Sequence, residues 1–206
     1  MPDAERIAKK LGDTYRYYQY STNRLHGREQ ANALVWREDL FDESSVATVV
    51  LPTLSQGRAS FFERLLYGRY REQHRNAIIL KGTLKEGIAV QIATPHPDIH
   101  GLDGHHASQI GKVCSSLVET DCDQHLLLGD LNLFGSQLLW PKVHKVFDRY
   151  GFVDVSKDTG GTFLTVPGQR LDRVLFRGRG RVDVRREKVK GSDHYPLVAS
   201  VELRAA

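Results

Sequence analysis

The chain has 206 residues, 40% of them apolar and 26% charged, which suits one globular domain with its own core and excludes a disordered or fibrous chain. Two cysteines, Cys114 and Cys122, exclude a disulfide framework, and Cys114 falls on an apolar helix face as a buried free thiol. No run is apolar enough to span a bilayer, and the N-terminus lacks a basic-then-apolar export segment, so the expectation is a cytoplasmic protein without a transmembrane segment. The net charge of +4 is uneven: Arg170 to Lys190 holds nine basic residues against three acidic ones, a net +6 that leaves −2 for the rest. Such a tract would attract a polyanion. The alternative is a solvated edge hairpin with Arg177-Gly178-Arg179-Gly180 as its turn.

In chain order, Asp3 to Leu11 reads as a helix closed by Gly12. Tyr15 to Tyr20, Asn32 to Arg37 and Val46 to Leu51 read as strands. Ser60 to Tyr70 is ambiguous. Asn76 to Leu84 and Ile88 to Thr94 are strands around the turn Lys85-Glu86-Gly87. Ile110, Val113, Cys114, Leu117 and Val118 share one face of a helix, as do Leu139, Val143, Val146, Phe147 and Tyr150 of another that Gly151 closes. His125 to Asn132 is a short buried strand ending in Gly, Asp and Asn. Leu171 to Phe176 and Pro196 to Leu203 complete the strands. With no repeats and no linker, this alternation implies one layered α/β or α+β domain with mixed sheets.

Several strand ends carry polar groups. His96 follows one strand, Asp130 and Asn132 follow a second, Asp172 enters a third, and Asp193-His194 precedes the last. Singly, each has a bland reading: Asp-x-Asn makes an Asx turn, and Asp-His in a turn is usually structural. Together they supply what phosphate-ester hydrolysis needs. That chemistry uses carboxylates for a divalent metal, a group to orient or deprotonate water, and donors for the phosphoryl oxygens.

The tracts Asn32-Ala33-Leu34-Val35, Ala93-Thr94-Pro95-His96, Leu128-Gly129-Asp130-Leu131-Asn132, Thr162-Phe163 with Arg170-Leu171-Asp172-Arg173-Val174, and Ser192-Asp193-His194-Tyr195-Pro196-Leu197 match one family in order and spacing. The chain resembles the endonuclease/exonuclease/phosphatase superfamily of metal-dependent phosphoesterases over nearly its whole length. The resemblance implies a four-layer sandwich of two mixed β-sheets flanked by helices, with the site at one end. It assigns Asp130 to the attacking water, Asn132 to holding Asp130 and a phosphate oxygen, and Asp193 to a Mg²⁺ or Mn²⁺ ion. His194 would bind the scissile phosphate while Asp172 holds its ring, and His96 resembles the second histidine of the deoxyribonuclease-like and sphingomyelinase-like branches.

The family's opening strands, which bear a metal-binding Asn and a Glu, have no counterpart here, because Asp3 to Gly12 resembles the helix that follows them. Glu5 and Glu29 follow no buried strand and do not replace that Glu. The chain therefore reads as one domain over residues 1–206 lacking its N-terminal strands, and a longer native protein is favoured over a degenerate relative. The expected activity is phosphodiester hydrolysis, as a nuclease on DNA or RNA. A phosphatase or phospholipase C-like enzyme on a lipid or small phosphate ester is the alternative, with Phe61-Phe62 as its apolar loop. A non-catalytic polyanion-binding remnant is the third reading. His100, His105 and His106 match no structural zinc spacing and read as a solvated substrate-side loop. Gln109 reads as a capping or packing residue, and Trp36 and Trp140 as core or cleft-rim aromatics.

Overall fold

The structure is a computed structural model, and it describes residues 3–25, 28–54, 74–135, 137–189 and 191–204. Helix α1 (Asp3–Leu11) carries Asp3 and Glu5 in its first turn and Lys9 and Lys10 in its last, charges that complement the helix dipole. It packs on an antiparallel ribbon of β1 (Tyr15–Leu25) and β2 (Arg28–Arg37). The central sheet has six strands in the order β3-β4-β5-β6-β8-β7: Phe41–Val50, Asn76–Leu84, Ala89–Pro95, Gln124–Asp130, Asp172–Arg177 and Val153–Asp154. Only β5 and β6 run parallel, so the sheet is mixed. Helix α2 (Asp103–Val118) makes the crossover between them, and α3 (Pro141–Tyr150) lies beside it. A second ribbon pairs β9 (Gly180–Arg186) with β10 (Leu197–Leu203). The positions read as Ser60 to Tyr70, and Phe61-Phe62 with them, lie outside the described residues.

Side-chain alternation divides the core in two. Odd-numbered residues of the central strands, Ala93, Leu127 and Leu175, are fully buried against Ile110, Val113, Leu117, Val143 and Phe147 of the helices. Even-numbered ones, Leu126, Val174 and Phe176, pack with Val182, Val184, Leu197 and Val201 of the β9–β10 ribbon. A sheet covered on both faces explains the unbroken apolar runs of β4 and β6. The architecture is thus an α/β sandwich of helices, mixed sheet, strand ribbons and an outer helix.

Two local readings change. Leu171 to Phe176 and the basic run after it do not form a hairpin: β8 belongs to the central sheet and β9 to the ribbon, so Arg177-Gly178-Arg179-Gly180 carries the chain from one sheet to the other. Helix α2 begins at Asp103, well before its apolar stripe, and the Asp103 carboxylate accepts the N–H groups of Lys142 and Val143. Asp103 therefore caps the N-terminus of α3 across space rather than capping its own helix. Gly151, with φ of 71°, closes α3 in the left-handed conformation as expected.

Candidate active site

Strand register builds the site. In the parallel pair, Val90 faces Gln124 and Ala93 faces Leu127, and continuing this offset past the strand end sets His96 level with Asp130. In the antiparallel pair, Asp130 faces Asp172 directly. Three neighbouring strand ends therefore carry His96, Asp130 and Asp172 side by side, on the face that packs the β9–β10 ribbon lower down. His96 Nε2 lies 4.0 Å from Asp130 Oδ2. Gly129 makes the approach possible. Its φ is 145°, and a Cβ there would meet the Pro95 carbonyl oxygen at 2.9 Å.

The fourth member arrives from the turn between β9 and β10. A single bridge pairs Phe163 with His194, Tyr195 donates its N–H to the Thr162 carbonyl, and Leu164 donates to the Asp193 carbonyl. Buried Thr162 accepts the N–H groups of Leu171 and Asp172 at its hydroxyl, both at 3.1 Å, fixing the start of β8. The Phe163 ring stands 5.1 Å from the His194 ring. His194 Nδ1 then meets Asp172 Oδ2 at 2.6 Å. A shallow cleft of 320 Å³ opens here, between Asp172, His194 and the Val189 side of the turn. On the opposite side, His96 lines a cavity of 530 Å³ bounded by Ile7 of α1 and Ala33 and Val35 of β2.

The surroundings tune the groups differently. Burial raises the Asp130 carboxyl above its ordinary value; the Asn132 N–H, donated to Asp130 Oδ1 at 2.9 Å, opposes this, and the neighbouring Asp172 charge adds to it. Burial pulls His194 down, but the hydrogen bond and charge of Asp172, with Asp130 and Asp193, outweigh it and leave His194 raised. Burial, then the Arg75 guanidinium, pushes His96 down to about 4.

The expected residues are differently placed. His96, Asp130, Asp172 and His194 come together. Asn132 does hold Asp130, but through its backbone N–H; its buried side-chain amide turns away and donates to the Pro97 carbonyl at 2.9 Å. Its φ of 51° is the left-handed conformation that asparagine tolerates, so the bland Asx-turn reading also describes this tract. Asp193 is exposed, and its carboxylate accepts from Ser192 Oγ at 3.2 Å. Among the described residues, no three His, Cys, Asp or Glu side chains converge in a group able to hold a metal ion. Glu5 pairs with Lys9 on α1 at 2.8 Å.

Two histidines at the end of the histidine-rich stretch turn inward rather than to solvent. His106 is fully buried with Nε2 donating to the Asp98 carbonyl at 2.8 Å, and His105 Nε2 donates to the Asp98 carboxylate at 2.8 Å. Gln109 is buried and braces Asp98 on two sides. Trp140 is a core residue. Arg75 and Asp98, both 2% exposed and 3.3 Å apart, escaped the reading of the sequence. Their signals were slight: an arginine directly before the buried run of β4, and an acid two residues after His96.

No family model and no curated protein matches the chain. Solved structures do. An endonuclease/exonuclease/phosphatase protein from Beutenbergia cavernae superposes with a TM-score of 0.70 at 16% identity, covering 97% of this chain and 57% of that one. The chain has the endonuclease/exonuclease/phosphatase fold. The same fold links it to a mannosyl-6-phosphatase from Bacteroides thetaiotaomicron, with a TM-score of 0.66, 15% identity and coverage of 97% and 81%. The human Nocturnin catalytic domain, solved with a bound sulfate, gives 0.64, 15%, 97% and 76%. This chain thus spans a little over half of the Beutenbergia structure and about four fifths of the others. Within this fold, the polar strand ends place Asp172 on the cleft and His96 on the cavity. No helix among the described residues is long and apolar enough to cross a membrane.

Proposed function

We propose that the site hydrolyses phosphate esters, with a phosphodiester of DNA or RNA as the first substrate. One observation carries the reading: His96, Asp130 and Asp172 share adjacent strand ends, with His194 joined to Asp172 at 2.6 Å. In this reading a water beside Asp130 attacks phosphorus. Its proton passes to the carboxylate as the new P–O bond forms and the bond to the leaving oxygen breaks. His194, held at Nδ1–H by the Asp172 carboxylate, presents Nε2–H to a phosphoryl oxygen as an imidazolium. His96 offers a second donor on the far side of Asp130.

The reading includes Mg²⁺ or Mn²⁺, with Asp193 as the candidate ligand. The described carboxylates form no cage for such an ion, so no step is assigned to it. Mg²⁺ commonly takes one or two carboxylates together with water and phosphate oxygens, and would offset charge on the phosphoryl group.

A smaller phosphate ester is the second reading, favoured by the ion pairing of the basic tract. Arg170 and Arg173 turn inward onto Asp154, Arg181 pairs with Asp183, and Arg185 pairs with Glu187, so four of the tract's nine basic side chains are engaged in ion pairs. The Bacteroides neighbour in fold is a mannosyl-6-phosphatase. The test is hydrolysis of a chromogenic bis-phosphodiester, a single-stranded oligonucleotide and a sugar phosphate with Mg²⁺ or Mn²⁺. Activity lost on Asp130→Ala or His194→Ala supports the reading; activity retained in both variants sinks the site assignment.

A further inference from the structure

We propose that Arg75 is a positioning residue: its guanidinium, braced by Asp98, holds the His96 ring in the tautomer that carries its proton on Nε2 and turns that proton toward Asp130. Arg75 Nη1 lies 3.3 Å from His96 Nδ1. A guanidinium donates hydrogen bonds and accepts none, so Nδ1 meets it with a lone pair and the proton of the neutral ring sits on Nε2. Nε2 is 4.0 Å from Asp130 Oδ2, beyond hydrogen-bond range, so its N–H is directed at an oxygen bound beside that carboxylate rather than locked to it.

The aim of Arg75 is itself fixed. Its Nε donates to Asp98 Oδ1 at 3.3 Å. The other carboxylate oxygen accepts from Gln109 Nε2 at 3.0 Å and from His105 Nε2 at 2.8 Å. The Asp98 N–H donates back to Gln109 Oε1 at 2.9 Å, and Gln109 Nε2 also donates to the Pro52 carbonyl at 2.7 Å. An anion supported from a helix and a loop thus holds a cation, and the cation sets a ring. The His96 backbone N–H, donated to the Asn76 carbonyl at 3.2 Å, seats the residue on the neighbouring strand. The same positive charge disfavours protonation of Nδ1, in keeping with the lowered affinity of His96 for a second proton. A neutral donor paired with a charged one lets the site contact two phosphoryl oxygens without placing two imidazolium charges side by side.

The proton's target rests on the phosphoesterase reading; the tautomer does not. The experiment is a long-range proton–nitrogen correlation spectrum of the whole protein, labelled with nitrogen-15 histidine, at neutral pH. His96 is assigned as the signal lost in His96→Asn. The expected result is a pyridine-type Nδ1 and a pyrrole-type Nε2. Arg75→Met should shift His96 toward a mixture of tautomers, and Arg75→Lys, which restores a donor, should recover the wild-type pattern. A pyrrole-type Nδ1, or a doubly protonated ring, in the wild-type spectrum overturns the proposal even if neither variant folds. So does an unchanged ring in folded Arg75→Met. A wild-type spectrum as expected, in a protein that hydrolyses no phosphate ester, keeps the positioning role and removes the reading of the site.

Discussion

The two sides of the site use the same residue type for opposite ends. On the β9–β10 side, His194 meets a carboxylate, and Asp172 at 2.6 Å raises its proton affinity against the pull of burial. On the β4–β5 side, His96 meets a guanidinium at 3.3 Å, and burial and that charge both lower it. One ring is built to hold a second proton, the other to refuse it. A histidine's role here is set less by its own place in the chain than by the single charged group behind it.

Removing the central groups should cost the most activity. Asp130→Ala or His194→Ala should lower kcat by about 10²–10⁴-fold, the range usual for a lost acid–base or donor group, in steady-state assays of phosphodiester hydrolysis. A control separates both sides from the frame beneath them. Leu127→Ala, at a fully buried position shared by the central sheet and the helices, should destabilise the fold by about 2–5 kcal/mol in urea denaturation while the remaining folded protein keeps its kcat. Asp172→Asn disturbs the His194 side only. It should lower kcat by about 10–100-fold, because the amide keeps the shape but loses the charge that holds the ring, and the loss should exceed any change in KM.

Smaller effects follow pH. Burial lowers His106 and His125, and burial with Arg75 lowers His96, from an ordinary value of 6.5. The unfolded chain therefore takes up these protons first, so stability contributed by the neutral rings is present above 6.5 and declines as pH falls toward the folded values. Thermal melts should show Tm decreasing from pH 7 to pH 5, with a shallower slope in His106→Gln. Hydrolysis should also rise with pH through an acid limb lying above the ordinary carboxylate value of 3.8, because Asp130 acts as a base only when ionised and burial raises it.

Much of this was legible in the sequence where a local pattern carried it. The helix period of Leu139 to Tyr150 with Gly151, the buried run before Gly129-Asp130, and the turn of Asp193-His194 each depend on neighbours a few residues away. Register was not legible. Nothing local says that His96 stands level with Asp130, or that Asp130 faces Asp172; those pairings are fixed by cores on both faces of the sheet. The edge hairpin, the alternative reading of the basic tract, failed for the same reason, since the basic turn gives no sign that the chain is changing sheets. Arg75 and Asp98 were hidden because a buried ion pair has no period and no spacing, only a meeting in space. The histidine loop misled because polarity suggested solvent, whereas Asp98 gives His105 and His106 buried partners.

The most direct test of the account is a double-mutant comparison of Asp172→Asn, His194→Ala and the two together, read as kcat for phosphodiester hydrolysis. If Asp172 acts by holding His194, the double variant should be no slower than His194→Ala alone. Losses that multiply, or a His194→Ala protein that turns over as fast as the wild type, would contradict the site described here.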